Sequence, residues 1–334
     1  MTSGFDIGYI FKKKFISSDF KTLLNQVNRE ELGFCYILMK KKASKLKKAD
    51  LINFYFDNYH LFIDDILLSF HSEILDFIYT LVDNNGEIEY ISSKPHYALL
   101  MKMFLIAFPV VKNNKYKLII ASEVMDSLKK YDRKKLYNKV KTNDLVKQYT
   151  RGLLSLYGQF EVDLVFKYIK EYEGLEINID DFYLLLNNDG MIYGFEYEDE
   201  IIYDFKILDI KDFNEAREKH TAMDYYHLTK KEILNEQFAT NSVSDQFLNF
   251  LLIHLEMPLE LAHKFLELAT ETINFNISFQ ELTSTFVTLD LSTFEKKQME
   301  KILEKLYYNT RLWTLKGHTR NELKIPKLIK FEKK

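Results

Sequence analysis

Pro95-His-Tyr-Ala-Leu-Leu-Met-Lys-Met-Phe-Leu-Ile-Ala-Phe-Pro-Val-Val-Lys-Asn-Asn-Lys-Tyr-Lys-Leu-Ile-Ile-Ala121 falls into two halves with different physics. Pro95 suits the first turn of a helix, where the missing N–H has no intrahelical partner to lose. The run from there to about Ala107 holds no breaker and predicts a helix. Two β-rich runs follow, Phe108–Lys112 and Tyr116–Ala121. Asn113-Asn114-Lys115 joins them with residues that tolerate left-handed backbone angles, which predicts a hairpin. With helical sequence before and after, the outline is helix, hairpin, helix, that of a winged helix.

Upstream, Ile66, Leu67, Phe70, Ile74, Phe77, Ile78 and Leu81 recur at helical spacing and predict one helix over Asp65–Val82, stopped by Asn84-Asn85-Gly86. Glu87–Ile91 reads as a short strand. Downstream the outline recurs: helices near Asp144–Tyr157, Val162–Tyr172 and Ile179–Leu186, a hairpin of Met191–Phe195 with Ile201–Phe205, and a helix near Lys211–His220. This is a degenerate repeat without residue-by-residue identity. From Thr229 onward the pattern is helical only. Thr229-Lys-Lys-Glu232 and Ser292-Thr-Phe-Glu295 have capping-box spacing, and Met299, Ile302, Leu303, Leu306 and Tyr307 form one apolar face. The expected organisation is a helix–loop–helix over 20–60, winged-helix-like units over 61–141 and 142–228, and a C-terminal helical domain with a Trp-containing tail over 229–334.

Composition agrees with a mainly α fold. The 334 residues are 47% hydrophobic and 28% charged, and 10 Gly with 4 Pro leave little material for Gly-rich phosphate loops or tight β-sandwich turns. Disorder, a collagenous chain and a disulfide scaffold are excluded. Cys35 is the single cysteine, so neither an internal disulfide nor a Cys-based zinc site is available, as in a reducing compartment. The first residues lack the apolar core of a signal peptide and no stretch approaches about 20 apolar residues, so a cytoplasmic protein without a membrane partner is expected. The net charge of −3 hides an asymmetry: residues 1–150 carry 24 basic and 17 acidic groups (+7), 151–300 carry 12 and 29 (−17), and 301–334 carry 10 and 3 (+7). Basic ends around an acidic middle suit a local polyanion site.

Val27-Asn-Arg-Glu-Glu-Leu32 through Ala43-Ser-Lys-Leu-Lys-Lys-Ala-Asp-Leu-Ile52 resembles the small helix–loop–helix at the N terminus of transcription terminator Rho and the related SAP modules, which carry a similar Ser-x-Leu-x-Lys-x-x-Leu-Ile turn. The resemblance covers about a tenth of the chain. It implies a nucleic-acid-binding or packing module. Within it, Lys40, Lys41, Lys42, Lys45, Lys47 and Lys48 are the candidate phosphate contacts for DNA or RNA, against a plain solvated loop. A second basic run, Lys129, Lys130, Arg133, Lys134, Lys135, Lys139 and Lys141, reads as the solvated side of a linker helix whose inward side is Leu128, Tyr131, Leu136 and Val140. The helix opened by Pro95 offers only Lys102 as a charged group, whereas a groove-reading helix exposes Arg, Asn, Gln or Lys. A protein-packing use of the winged-helix-like units is therefore favoured over sequence-specific DNA reading.

Catalytic signals are sparse. The eight histidines are scattered, and His254 with His263 is a loose pair, so no metal or cofactor is expected. Asp189 followed by Asp204-Phe-Lys206 has the residue types with which Mg²⁺-dependent nucleases of the restriction-endonuclease type hold their ion. Asn187-Asn-Asp-Gly190 nevertheless reads as ordinary turn chemistry. Tyr307-Tyr-Asn-Thr-Arg-Leu-Trp-Thr-Leu-Lys-Gly-His-Thr-Arg-Asn-Glu-Leu323, Arg151-Gly-Leu-Leu-Ser-Leu-Tyr-Gly158 and Asp224-Tyr-Tyr-His-Leu-Thr229 together resemble a group of uncharacterised proteins of low-GC Gram-positive bacteria. Many of those continue into a SEC-C zinc motif, the Cys-rich tail also found on the translocase SecA. The lysine-rich Lys324–Lys334 departs from it, having no cysteine. Trp313 is expected to latch the tail onto the apolar face of the preceding helix. The leading expectation is a non-enzymatic nucleic-acid-associated adaptor in transcription or in plasmid or phage biology. The alternatives are a protein–protein scaffold without nucleic acid, and a Mg²⁺-dependent nuclease using Asp189, Asp204 and Lys206.

Overall fold

A computed structural model describes residues 10–38, 45–90, 94–235, 241–275, 277–286 and 291–324. The chain is mainly helical, 63% in 16 helices with small sheets among the described residues. It divides into two units, one of residues 1–147 with 177–193 and the other of 148–176 with 194–334.

The first unit begins with strand β1 (Lys13–Lys14) and helices α1 (Phe20–Gln26), α2 (Arg29–Leu38), α3 (Lys48–Asn58), α4 (Ile63–Leu68) and α5 (Ser72–Asp83). Strand β2 (Glu87–Glu89), helix α6 (Pro95–Met103), strands β3 (Ala107–Lys112) and β4 (Lys115–Ile120) and helix α7 (Ser122–Leu128) follow. The 25-residue α8 (Arg133–Tyr157) crosses the boundary, α9 (Asp163–Glu173) lies in the second unit, and the chain returns to the first with α10 (Tyr183–Tyr193). The sheet order is β1-β3-β4-β2, with β1 parallel to β3 and the other pairs antiparallel. Asn113 and Asn114 both take positive φ, 53° and 58°, the geometry of a two-residue hairpin turn that matches strand twist.

Two expected boundaries move. Asp65–Val82 is two helices, because side chains from α8, Asn143 buried and Asp144 half-buried, capture the backbone where it breaks. Asn143 Nδ2 donates to the carbonyls of Leu68 at 2.8 Å and Phe70 at 2.6 Å, and Asp144 accepts from the backbone and hydroxyl of Ser72, both at 3.0 Å. Helix α6 ends at Met103, since Leu105 turns left-handed (φ 57°) and returns the Ile106 N–H to the Met101 carbonyl at 2.9 Å.

The second unit adds β5 (Gln159–Glu161), β6 (Phe195–Glu198) and β7 (Ile201–Asp204) in the order β5-β7-β6. Helices α11 (Ile210–Glu218), α12 (Lys230–Leu234), α13 (Asn241–Asn249), a π-turn over Phe250–His254, α14 (Leu259–Asn274), α15 (Phe279–Phe286) and α16 (Thr293–Asn309) complete it. The expected strand Met191–Phe195 is corrected: Met191–Tyr193 close α10, and the strand starts at Phe195. Both capping boxes form, at Thr229 with Glu232 and at Ser292 with Glu295.

The two sheets repeat one plan. Strand β2 pairs with β4 beside β3 as β5 pairs with β7 beside β6. In each, a positive-φ glycine follows the long helix, Gly86 after α5 and Gly158 after α8. Each glycine carbonyl accepts the N–H of the last hairpin residue, Ile120 at 2.8 Å and Asp204 at 2.9 Å.

Three sequence-distant stretches of the second unit meet around Gly158. Trp313 is 3% exposed and donates its indole N–H to the Ser155 carbonyl at 3.1 Å, with its ring against Gly158. The Tyr157 hydroxyl donates to the Tyr226 carbonyl at 2.5 Å, and the Arg311 guanidinium lies 3.6 Å from the Tyr226 ring centre while pairing with Glu232 at 2.9 Å. Trp313 thus latches the tail, but onto the end of α8. Leu312 and Leu315 are the tail residues that join the core of Met299, Leu303, Leu306 and Tyr307. Adjacent residues of one short turn serve different neighbours because the chain reverses there, with Lys316 and Gly317 both at positive φ.

Candidate nucleic-acid interface

Lys40, Lys41 and Lys42 lie outside the described residues. Lys45 and Lys47 are exposed and Lys48 is half-buried. Helix α3 starts at Lys48 because Asp50 accepts the Lys47 N–H at 3.1 Å, satisfying a free donor of the first turn. Lys48 Nζ donates to the Asn25 carbonyl at 2.7 Å, at the end of α1 where the helix dipole favours a cation. Arg29 donates to the Leu46 carbonyl at 3.3 and 3.2 Å, tying the loop to the start of α2.

The structure adds lysines that sequence reading passed over. Gln26 Nε2 donates to the Lys14 carbonyl at 3.2 Å, so the last turn of α1 holds β1 on one side and the lysine loop on the other. A groove of about 160 Å³ runs alongside, lined by Lys12, Lys13, Gln26, Asn28, Glu31 and Lys102. The available signal was Lys12-Lys-Lys14, three consecutive lysines set between the apolar pairs Ile10-Phe11 and Phe15-Ile16.

Pairing distinguishes the two edges of this sheet. Lys112 and Lys117 share Glu87, and Lys115 pairs with Glu89 at 2.7 Å, so the hairpin's charge is neutralised across the strands. Lys102 is spent on Glu31 at 2.6 Å. Lys13, Lys14, Lys45 and Lys47 have no carboxylate partner among the described residues. Their positive potential is therefore available to a polyanion. Helix α6 buries Tyr97, Ala98, Leu100 and Met101, so it is not shaped to read base edges.

The remaining predicted residues have other duties. In the second basic run the lysines and Arg133 are exposed while Leu136 and Val140 are buried, and Arg133 is held by Asp83. The turn expected at Asn187–Gly190 is instead helix: Asn188 and Asp189 are buried in α10, where Asn188 reaches the Ser69 hydroxyl at 3.4 Å and Asp189 lies 3.2 Å from His71 Nε2. Asp204 and Lys206 belong to the second unit. Burial raises the Asp204 carboxyl, which accepts the Lys206 N–H at 2.8 Å, while the Lys206 ammonium pairs with Glu271 and, at 3.6 Å, with Glu267. His254 and His263 are both exposed, and no group of three or more His, Cys, Asp or Glu among the described residues could hold a metal ion. Cys35 is buried, and burial pushes its thiol up to about 12. No described helix is long and apolar enough to cross a membrane. No family model matches the chain, and neither a curated protein nor a solved structure is significantly similar to it.

Proposed function

We propose that the protein is a non-enzymatic, nucleic-acid-associated adaptor that holds backbone phosphates of DNA or RNA on the basic edge formed by β1, the end of α1 and the start of α3. The observation that carries this is that the last turn of α1 holds Lys14 through Gln26 and Lys48 through Asn25, with Lys13 lining the adjacent groove, while Lys13, Lys14, Lys45 and Lys47 have no carboxylate partner among the described residues. In this reading residues 20–60 act as the Rho-N/SAP-like module, and the two helix-and-sheet repeats are winged-helix-like units used for packing and protein contact. Recognition is of backbone charge, since phosphate contacts position a protein without reading sequence.

The test is fluorescence anisotropy of labelled single-stranded and duplex oligonucleotides over a salt series. Replacing Lys13, Lys14, Lys45 and Lys47 by Gln is expected to weaken binding and flatten the log–log salt slope by about 0.7–0.9 for each phosphate that is no longer neutralised. An unchanged slope would move the site elsewhere. Absence of parent binding at low salt would favour the protein–protein scaffold, a reading supported by the buried face of α6 and the neutralised lysines of the first hairpin.

A further inference from the structure

Helix α14 carries two parallel rows one residue apart. Ala262, Ala269 and Ile273 are buried in the core of the second unit, whereas Leu261, Leu268 and Phe275 remain 43%, 44% and 47% exposed. Their seven-residue spacing sets the exposed three in one line along the helix. The next row round is Glu260, Lys264, Glu267 and Glu271. Lys206 bonds to two of these glutamates and so brings the segment after β7 alongside, with Phe205 54% and Leu208 89% exposed. Single exposed apolar side chains are ordinary, but a line of them along one helix with a charged border marks a contact surface.

The border selects the occupant. Glu260, Glu267 and Glu271, with Asp209, Asp212 and Glu215 in the residues after Leu208, outnumber Lys206, Lys211 and Lys264, which pair with four of them, a balance of 3 − 6 = −3 that leaves Asp209 and Asp212 without a basic partner among the described residues. A nucleic acid is repelled here, and a second copy of the chain would set the same acidic row against itself, a like-charge juxtaposition that disfavours association. A helix with an apolar stripe flanked by Lys or Arg satisfies both the line and its border. We propose that α14 and the segment after β7 dock a basic amphipathic helix of a partner protein.

The probe is a labelled synthetic 18-residue amphipathic helix with Leu along one face and Lys on its flanks, beside a twin with Glu for Lys, titrated into the full chain. The Lys peptide is expected to bind about tenfold or more tightly than the Glu twin, because the charged border discriminates. Leu261→Asp with Leu268→Asp is expected to abolish the binding while leaving the melting curve unchanged, as exposed positions tolerate polar groups. Equal affinity for both peptides, or equal affinity of parent and double variant, would overturn the proposal. So would a parent dimer in sedimentation that Leu268→Asp dissociates, since a second copy would then cover the face.

Discussion

The hairpin closed by Asn113 and Asn114 and the hairpin closed by Asp199 and Glu200 share a backbone plan and oppose each other in charge. Both turns hold two consecutive residues at positive φ, and in both sheets the second strand of the hairpin pairs with the strand that follows a positive-φ glycine. The first carries Lys112, Lys115 and Lys117, and the second Glu196, Glu198, Asp199 and Glu200. The first sheet also gains a fourth strand, β1, with two more lysines. One scaffold thus serves two electrostatic purposes, and strand order alone says nothing about the ligand.

The comparison breaks most sharply at the paired glycines. A Cβ at Gly158 would stand 2.5 Å from the Trp313 ring, which is fixed by its own hydrogen bond, whereas one at Gly86 would meet the flexible end of Met125 at 3.1 Å. Both positions have positive φ, so each alanine carries a backbone penalty of about 1–2 kcal/mol. Gly158→Ala is expected to cost about 3–5 kcal/mol in all and Gly86→Ala about 1–2 kcal/mol, read from urea unfolding. Equal losses would mean that the ring yields as freely as the methionine.

Trp313→Ala is expected to cost about 3–5 kcal/mol by emptying a fully packed site. Combined with Gly158→Ala, the total should fall short of the sum, because the ring that the new methyl would strike is gone. Additive losses would separate the two residues. As the sole tryptophan, Trp313 should also emit in the blue, with weak iodide quenching, until the second unit unfolds.

Acid should probe each unit through one glutamate. Burial works to raise both carboxyls. Lys147, His71 and Lys94 outweigh it at Glu73, and the Thr229 backbone and hydroxyl with Arg311 outweigh it at Glu232, so both lie below the ordinary value. A depressed folded pKa contributes stability that is fully present above the unfolded value of about 4.3 and lost as pH falls through the folded one. Glu73→Gln and Glu232→Gln should each lower stability at pH 7 and flatten its decline below about pH 5. A variant whose urea midpoint follows the parent from pH 7 to 3 would remove that glutamate from the acid response.

The smallest effect is expected at the turn tips. Asparagine tolerates left-handed angles and glutamate does not, so Glu200→Gly should stabilise by about 0.5–1 kcal/mol and Asn114→Gly by less. The reverse order in thermal melts would show that the Glu200 side chain contributes a contact of its own.

What the sequence disclosed was local. Pro95, Asn113-Asn114 and the Thr229 and Ser292 capping boxes act within a few residues, and all fold as read. The break before Ser72 was hidden because the groups that stabilise it, Asn143 and Asp144, lie more than 70 residues away. Met191-Ile-Tyr193 was ambiguous between strand and helix, since a short apolar run has no period of its own. Part of the basic edge was legible as a lysine cluster in the loop. Lys13 and Lys14 were not, because the pairing of β1 with β3 and the contacts of Gln26 and Asn25 at the end of α1 join residues far apart in the chain.

Residues 177–193 belong to the first unit although both their flanks belong to the second. On a growing chain, which folds from its N-terminal side as it emerges, the first unit cannot close until Tyr193 is available. By then 148–176 have been made and must wait, looped out, for partners still to be synthesised. Neither unit is one uninterrupted segment, so no single cut, by protease or by truncation, releases both whole. Loss of α10 would strip the first unit of its docked helix and leave β5 and α9 without the connection to their own sheet.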